Sequence, residues 1–307
     1  MKLIYRIILL LGAIQLGNST VSIQAQEQKP LIFSIAANGA GNRLQAIEPI
    51  AEYLSKELNR PVNARVSNSA AELMDQLESG EIDIAYMNGF GYVLAKQKEL
   101  NVEILALPGN DKGEPSTYNS CLLANNGAFK SMDEVLENAA SVRLLFVNPT
   151  STSGHLIPRL YLTREGTGQL ETVFSSVDFG KNHYSTLEKL VANEADVAAM
   201  AYNVYQACVK DNKVAEGAVD VLWVSDGIPS EPIVVRNKLE DEVKAQFSEA
   251  LLNLHKKSPE LWVHVQNNFS ARQASQYVLG KDEFYDSVRN TSGKIEDLLF
   301  ILNFYID

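Results

Sequence analysis

Short apolar runs alternate with amphipathic stretches along most of the chain. Leu31–Ala36 is a largely apolar run with the length of a buried strand, and the apolar residues from Leu44 to Leu58 recur every three or four positions, as on one face of a helix. The same reasoning predicts further strands at Pro61–Val66, Glu81–Met87, Val102–Leu107, Tyr118–Ala124, Ser141–Val147, Thr172–Phe174, Val197–Met200, Val219–Val224 and Ile233–Arg236. This alternation predicts an α/β protein with right-handed crossovers.

Three helices are predicted from an S-x-x-E pattern, in which a serine caps the helix and the glutamate three positions later completes a capping box. The pattern occurs as Ser69 with Glu72, Ser131 with Glu134 and Ser185 with Glu188. From Pro229 onward the chain is predicted to be largely helical, apart from the strand Ile233–Arg236, with helices at Asp241–Lys257, after Pro259 and at about Lys294–Tyr305.

The turn-rich segment from Pro108 to Thr117 separates two α/β series. We expect two lobes joined by a hinge, with residues 26–115 and 226–307 in lobe 1 and residues 116–225 in lobe 2. Ligands of such sheets bind beyond the carboxyl ends of the strands, so a ligand cleft is expected between the lobes.

Residues 1–25 have the pattern of a secretory signal peptide. Lys2 and Arg6 flank the start of an apolar stretch, Ile7–Leu16, that is too short to span a bilayer. Cleavage is predicted near Ala25–Gln26. No cysteine lies near this junction, so we expect no lipid anchor on a cysteine. Because an exported protein without an anchor must still be retained near its cell, we expect it in the periplasm.

The composition bounds the partners of the protein. The 307 residues are 46% hydrophobic and 21% charged, which is typical of a soluble globular protein, and we expect a monomer. A formal net charge of −11 argues against nucleic acid, which requires a basic surface. Cys121 and Cys208 either form a disulfide or remain buried free thiols. No metal-ligand spacing or cofactor loop is present, so no metal or cofactor is expected.

The most informative segment is Val147–Pro158, with the sequence VNPTSTSGHLIP. An apolar strand ends at Val147, four hydroxyl residues follow, and a helical pattern begins after Gly154. A helix N-terminus presents unpaired N–H groups and a partial positive charge, and hydroxyl groups add donors, so the segment is suited to a compact oxyanion. Ordinary N-capping would account for one hydroxyl group and leaves the other three without a role.

This segment resembles the S-T-S-G helix start of the phosphonate- and phosphite-binding periplasmic proteins of ABC importers. The resemblance extends in order through Ala46–Leu58, the G-x-x-D-I-A strand Gly80–Ala85, Asn182–Ser185 and Val221–Pro229. It implies a type II periplasmic binding protein with two α/β lobes and a ligand cleft between them.

The resemblance also implies which residues bind the ligand. In the family, hydroxyl and amide groups of the S-T-S-G turn hold the phosphoryl oxygens. The residues implied are Ser151, Thr152, Ser153 and Gly154 of that turn, Tyr86, Asn88 and Tyr92 after the G-x-x-D-I-A strand, and His183 of the N-H-Y-S stretch. Each has a structural alternative, since the tyrosines can pack, asparagine favours turns and a lone histidine is often structural. His155 is expected to pack or to face solvent.

The part of the site that receives the ligand's substituent departs from the family. Members that bind an aminoalkyl phosphonate use carboxylates to pair with the amine, whereas this chain has Tyr202 and Asn203 at the corresponding strand end, both of which we assign to the site. An amine-bearing ligand is therefore less favoured. The loop Asn38–Arg43 either contributes amides or Arg43 to the ligand, or is a plain turn.

These observations favour a non-catalytic solute-binding protein that captures a small phosphorus oxyanion and delivers it to an ABC permease. The alternative is a partner that presents a different small oxyanion to a membrane sensor. An enzyme is disfavoured, because Ser153 and His155 are two positions apart at a helix start and do not face each other.

Overall fold

The computed structural model describes residues 29–37, 42–164, 169–269 and 271–291. The predicted signal peptide and the predicted helix at Lys294–Tyr305 lie outside these ranges. No helix in the described ranges has both the length and the apolar character that crossing a membrane would require.

Lobe 1 is built on a six-stranded sheet with the strand order β13-β4-β12-β3-β1-β2. β1 is parallel to β2 and β3, while β12, which enters from the far end of the chain, lies antiparallel between β3 and β4. The strands are β1 (Leu31–Ala36), β2 (Val62–Ser67), β3 (Ile84–Tyr86), β4 (Val102–Gly109), β12 (Ile233–Arg236) and β13 (Gln276–Leu279). The helices are α1 (Arg43–Leu58), α2 (Ala70–Ser79), α3 (Gly89–Gln97), α9 (Asp241–Lys257), α10 (Pro259–Asn268) and α11 (Asp286–Thr291).

Lobe 2 is built on a five-stranded sheet with the order β10-β6-β9-β7-β8. β7 is parallel to β8 and β9, and β6 is antiparallel to β9 and β10. The strands are β6 (Ser120–Asn125), β7 (Arg143–Phe146), β8 (Ser176–Phe179), β9 (Val197–Ala201) and β10 (Val219–Val224). The helices are α4 (Met132–Glu137), α5 (Ile157–Leu162), α6 (Leu170–Val173), α7 (His183–Val191) and α8 (Tyr202–Lys210).

Two short strands connect the lobes. β5 (Thr117–Tyr118) leads into lobe 2, β11 (Ile228–Pro229) leads out of it, and the two pair antiparallel to each other. Because β5 and β11 pair over only two residues each, this connection is narrow compared with either sheet.

Most of the predicted elements are present, and the differences have physical causes. Ser69 and Ser131 cap α2 and α4 by accepting from the N–H groups of Glu72 and Glu134, as predicted. The predicted cap at Ser185 is wrong, because Asn182 caps α7 and Ser185 occupies the third helical position of a reciprocal capping box. An asparagine oxygen accepts the amide hydrogen bond as well as a serine oxygen does.

Two further predictions of secondary structure are wrong. Thr172–Phe174 is not a strand, since α6 spans Leu170–Val173 and the partner of β7 is Ser176–Phe179. A short apolar run does not distinguish a helical turn from a strand, and the pairing with β7 decides the outcome. β13 lies within the stretch predicted to be helical and completes the edge of the lobe 1 sheet beside β4.

An apolar cluster joins the two lobes. Leu156, Ile157 and Leu160 at the start of α5 belong to the same buried cluster as Phe90 of α3 and Tyr285, which precedes α11. The helix that begins at the S-T-S-G segment is therefore packed partly against lobe 1. Cys121 and Cys208 are both buried free thiols in lobe 2, so of the two alternatives the structure has the free thiols.

Candidate functional site

A cavity of about 330 Å³ lies between the lobes and is called the interlobe cavity below. Its lining includes residues from the carboxyl ends of β1 and β3 in lobe 1, the loops after β7 and β9 in lobe 2, and the crossing segments. This is where the predicted ligand cleft was expected, at loops that follow strand ends.

The S-T-S-G segment forms a tight turn on this cavity. Ser151 accepts a hydrogen bond from the N–H group of Gly154 at 3.0 Å and so caps a π-helical turn, Thr152–Leu156, that continues directly into α5. The N–H group of Val147 donates to the carbonyl of Gly154 at 2.9 Å, which folds the turn back onto the end of β7. Ser151, Thr152 and Ser153 all line the cavity.

Gly154 serves packing within this turn. A Cβ atom at this position would lie 2.3 Å from Cγ2 and 2.5 Å from Cβ of Val147. The absence of a side chain therefore lets the helix start lie directly on the end of β7. Gly154 itself is not part of the described cavity lining.

Lobe 1 contacts the same turn directly. The N–H group of Phe90 donates to Oγ1 of Thr152 at 3.1 Å. Asn88 donates from Nδ2 to the carbonyl of Thr150 at 3.0 Å, while its Oδ1 caps α3 through the N–H group of Gly91 at 2.6 Å. Both functional atoms of Asn88 therefore have protein partners, and its contribution is to join the lobes at the cavity edge.

His183 presents a neutral imidazole to the cavity. Its Nδ1 lies 3.2 Å from the N–H group of Ala201 and accepts from it, so in the neutral ring the hydrogen is on Nε2. Burial lowers the pKa of His183 to about 4. At neutral pH the side chain is thus an uncharged donor in the cavity lining.

Two tyrosines and one carboxylate lie where the crossing segments meet the cavity. Tyr86, Tyr118 and Glu231 all line it. Burial, with a further contribution from the Glu231 carboxylate, raises the pKa of both Tyr86 and Tyr118, so both phenols stay protonated at physiological pH. The hydroxyl groups of Ser153 and Thr152 act in the opposite direction on Tyr118 and offset part of the rise in its pKa.

A buried network supports the turn from behind. Nδ1 of His155 lies 2.8 Å from the carbonyl of Pro149, and Nε of Arg159 donates to Nε2 of His155 at 2.8 Å. Since Nε2 accepts, Nδ1 carries the hydrogen and donates to Pro149. Arg159 also forms a 2.5 Å ion pair with Glu171 and lies over the ring of Phe146. Burial and the Arg159 charge lower the pKa of His155 to about 3, so this imidazole is neutral as well.

The structure brings seven of the ten residues assigned to the site into the described cavity lining. They are Tyr86, Asn88, Ser151, Thr152, Ser153, His183 and Asn203. Besides Gly154, two others are not among them. Tyr92 is packed against Tyr285 and donates its hydroxyl hydrogen to Asp282 at 2.5 Å, and Tyr202 packs against the lobe 2 core beside Tyr205. Both tyrosines therefore have packing contacts and are outside the described lining, and for Tyr92 this is the structural alternative.

Sequence reasoning missed several lining residues. Tyr118, Glu231 and Arg272 reach the cavity from the crossing segments and from the end of α10. Asn148 and Asn182 were recognised only as neighbours of the motifs, yet both line the cavity. For Asn148 and Asn182, the position next to a strand end was the available sequence signal. The presence of Glu231 and Arg272 in the lining depends on tertiary packing, which the sequence does not show directly.

The donor set is suited to holding an anion without chemical change. The lining offers hydroxyl, amide and neutral imidazole groups to a tetrahedral oxyanion, in the manner of anion sites at helix starts. Within the described ranges, no group of three or more His, Cys, Asp and Glu side chains is arranged to hold a metal ion.

The sequence matches a protein family described as "ABC transporter, phosphonate, periplasmic substrate-binding protein" over residues 33–279. The chain belongs to this family. The resemblance inferred from the S-T-S-G segment and the motifs spaced along the chain is thereby confirmed.

Individual members of this phosphonate-binding family are distant in sequence. The phosphate-import protein PhnD of Mycolicibacterium smegmatis is 24% identical over 220 residues, which are 69% of this chain and 67% of that protein. The phosphonates-binding periplasmic protein of Escherichia coli is 22% identical over 237 residues, 76% of this chain and 69% of that protein. PhnD1 of Prochlorococcus marinus, solved in complex with methylphosphonate, has a TM-score of 0.71 at 18% identity, covering 88% of this chain and 99% of that one. The predicted type II periplasmic binding fold is confirmed by this likeness.

The half-buried imidazole of His183 predicts a specific pH dependence of stability in the ligand-free protein. Its pKa is about 4 in the folded state against an ordinary 6.5, so the unfolded chain binds a proton that the folded chain excludes. The stabilisation is complete above pH 6.5 and is lost as the pH falls towards 4, at about 3 kcal/mol in total.

Urea unfolding between pH 7.5 and 4.5 tests this dependence. In His183→Asn the amide oxygen can still accept from Ala201, but the titrating group is gone. The difference between wild type and variant is expected to shrink steadily below pH 6.5. A constant difference across this range would show that the imidazole is not the source.

Proposed function

We propose that the chain is a periplasmic solute-binding protein that captures a small phosphorus oxyanion, such as a phosphonate, phosphite or phosphate ester, for an ABC importer. The observation that carries the proposal is the capped turn Ser151–Gly154, whose three hydroxyl residues line a cavity between two lobes. The family membership and the names of its relatives support the ligand class.

The donors available are enough for useful affinity. Hydrogen bonds to a charged group contribute roughly 1.5–3 kcal/mol each, and association costs several kcal/mol in lost freedom. The hydroxyls of Thr152 and Ser153, the Nε2–H group of His183 and the phenol of Tyr118 are the groups we assign to the phosphoryl oxygens. Four such bonds are consistent with a Kd of about micromolar or lower.

We propose that the protein does no chemistry on its ligand. His155 is the histidine nearest in sequence to the hydroxyl cluster, but its two ring nitrogens are engaged by Pro149 and Arg159. A low pKa further removes His155 as a general base for a serine at neutral pH.

The cellular setting follows from the same proposal. The signal-like residues 1–25 and the periplasmic relatives support export to the periplasm. We propose that the protein acts there as a monomer without a membrane anchor. We propose that residues 26–115 and 226–307 move as lobe 1 against residues 116–225 as lobe 2, hinged at β5 and β11, and that the closed form docks on a permease. A membrane sensor as the docking partner is the alternative.

Substitutions in the turn test the ligand site. Thr152→Val removes the hydroxyl group with little change of shape, and it also leaves the Phe90 N–H group without its acceptor. We expect binding of the best phosphonate, found by thermal-shift screening, to weaken about 10- to 100-fold in isothermal titration calorimetry. Ser151→Ala is expected to weaken binding about tenfold, because the cap of the turn is lost.

Thr163→Val is the matched control. Thr163 lies at the end of α5, and its hydroxyl group bonds the carbonyl of Arg159 within the helix. The affinity of the Thr163→Val variant for the phosphonate should equal that of wild type. Unchanged affinity in both Ser151→Ala and Thr152→Val, in proteins that melt normally, would count against the site.

A further inference from the structure

The wall of the interlobe cavity that belongs to lobe 1 carries two positive side chains. Arg43 is the first residue of α1, and Arg272 follows the end of α10. Both line the cavity, whereas the hydroxyl cluster and His183 line it from lobe 2. The cavity therefore has neutral donors on the lobe 2 side, and two arginines together with one carboxylate on the lobe 1 side.

These two arginines differ from the other arginines of the protein. Among the residues that the structure describes, every other arginine forms an ion pair with a carboxylate or donates to a backbone carbonyl: Arg60, Arg65, Arg143, Arg159, Arg164, Arg236 and Arg289. Within the same ranges, neither hydrogen bonds nor ion pairs are found for Arg43 and Arg272.

Arg43 is the more informative of the two. It is half-buried, and its Nε is buried without a hydrogen-bond partner in the described part of the chain. A buried donor of a charged group is costly to leave unpaired, so the position implies a partner that arrives with the ligand.

Glu231 is the carboxylate in the described lining, and it belongs to lobe 1, as the two arginines do. It follows β11, and its charge acts on Tyr86, Tyr118, Tyr277 and Tyr285. With His183 neutral, the charged residues of the described lining are two arginines and one glutamate, which leaves an excess of positive charge.

The cavity also has room beyond a bare oxyanion. Its volume of about 330 Å³ corresponds to on the order of ten water molecules at about 30 Å³ each. A phosphoryl group held by Thr152 and Ser153 therefore leaves space for a substituent that extends towards lobe 1.

We propose that the ligand is a phosphonate with a second anionic group, a phosphonocarboxylate, whose carboxylate is bound by Arg43 and Arg272 while its phosphoryl group occupies the Ser151–Ser153 turn. This inference rests on the proposed function and specifies its substrate class. Guanidinium groups bind carboxylates through paired N–H donors, so two arginines on one wall recognise the substituent by both charge and shape.

Calorimetric titration with four small compounds tests the inference. The compounds are methylphosphonate, phosphonoacetate, 3-phosphonopropionate and 2-aminoethylphosphonate. In wild type, at least one phosphonocarboxylate is expected to bind about tenfold or more tightly than methylphosphonate, the effect of one charge-assisted hydrogen bond. The ratio of the two affinities is the measured quantity.

Substitution of each arginine should reduce this ratio. Arg43→Gln and Arg272→Gln are each expected to lower the preference for the phosphonocarboxylate about fivefold or more, and Arg43→Lys, which keeps the charge but loses the paired donors, should fall between wild type and Arg43→Gln. Arg65→Gln is the matched control, because Arg65 pairs with Glu81 and is not part of the described lining. Its ratio should stay at the wild-type value.

The possible failures are distinguishable. If methylphosphonate or 2-aminoethylphosphonate binds as tightly as both phosphonocarboxylates, the inference is overturned while the proposed function stands. If wild type shows the preference but all three arginine variants keep it, the two arginines are not its source and the inference is likewise overturned. If none of the four phosphonates binds, the inference is overturned. The proposed function itself fails if phosphite and phosphate esters do not bind either, or if malonate, which contains no phosphorus, binds as tightly as the best phosphonate.

Discussion

Replacing Gly154 with alanine is expected to lower the free energy of unfolding by about 2–3 kcal/mol and to weaken ligand binding at least tenfold. The new methyl group would lie 2.3 Å from Cγ2 of Val147, and adding atoms to a close-packed contact costs about 1–3 kcal/mol. At roughly 2–4 °C per kcal/mol for a domain of this size, the melting temperature should fall by about 4–12 °C. Differential scanning calorimetry and titration with the ligand measure the two effects.

The binding loss in this variant has its own cause. The turn is closed by the bonds of Gly154 to Ser151 and Val147, so relief of the clash displaces the hydroxyl groups from their positions. A binding site tolerates displacements of only about 0.5 Å. The double variant Val147→Ala/Gly154→Ala, which removes the nearest clashing atom, should recover part of both losses. Equal stability of Gly154→Ala and wild type would show that the turn is not locked by this contact.

Replacing Arg159 with methionine is expected to destabilise the protein by about 2–4 kcal/mol. Arg159 has a side-chain exposure of only 5%, and its removal leaves Nε2 of His155 without a donor and Phe146 without its cation. Breaking a buried ion pair usually costs about 3–5 kcal/mol. The loss expected here is somewhat smaller, because Glu171 is 32% exposed and regains contact with water. Urea unfolding at pH 7 measures the loss.

Glu171→Gln is the control for charge. It retains a hydrogen-bond acceptor for Arg159, so a smaller loss of about 1 kcal/mol is expected. Removing Arg159 should also raise the pKa of His155, because the positive charge beside the ring contributes to its low value of about 3. An unfolding midpoint in Arg159→Met that matches wild type would mean that the network does not hold the turn.

Elements with strong local signals were predictable from the sequence. The fold class, the family and the turn Ser151–Gly154 followed from apolar periodicity and from motifs whose roles depend on neighbouring residues. The caps Ser69 and Ser131 were also predictable, because a cap bonds to a residue only three positions away in the sequence. Where Asn182 and Ser185 competed for one helix start, the local pattern was insufficient.

Features that depend on distant contacts were not predictable in this way. The place of β8 in the sheet depends on its pairing with β7, which a four-residue run does not encode. Glu231 and Arg272 reach the cavity only because β12 returns between β3 and β4 and α10 packs on α1, where His264 bonds the carbonyl of Ala46. The sequence assigned Tyr92 to the site and missed Tyr118, and only the fold separates the packed residue from the lining residue.

In the proposed hinge motion, the apolar cluster shared by the two lobes makes closure depend on temperature. Leu156, Ile157 and Leu160 are buried together with Phe90 and Tyr285, so separating the lobes would bring part of this surface into contact with water. Hydrophobic association weakens on cooling, which means that the closed form loses part of its advantage in the cold and regains it on warming. In that proposed motion, the balance between open and closed forms would shift with temperature through these apolar side chains, independently of the ligand.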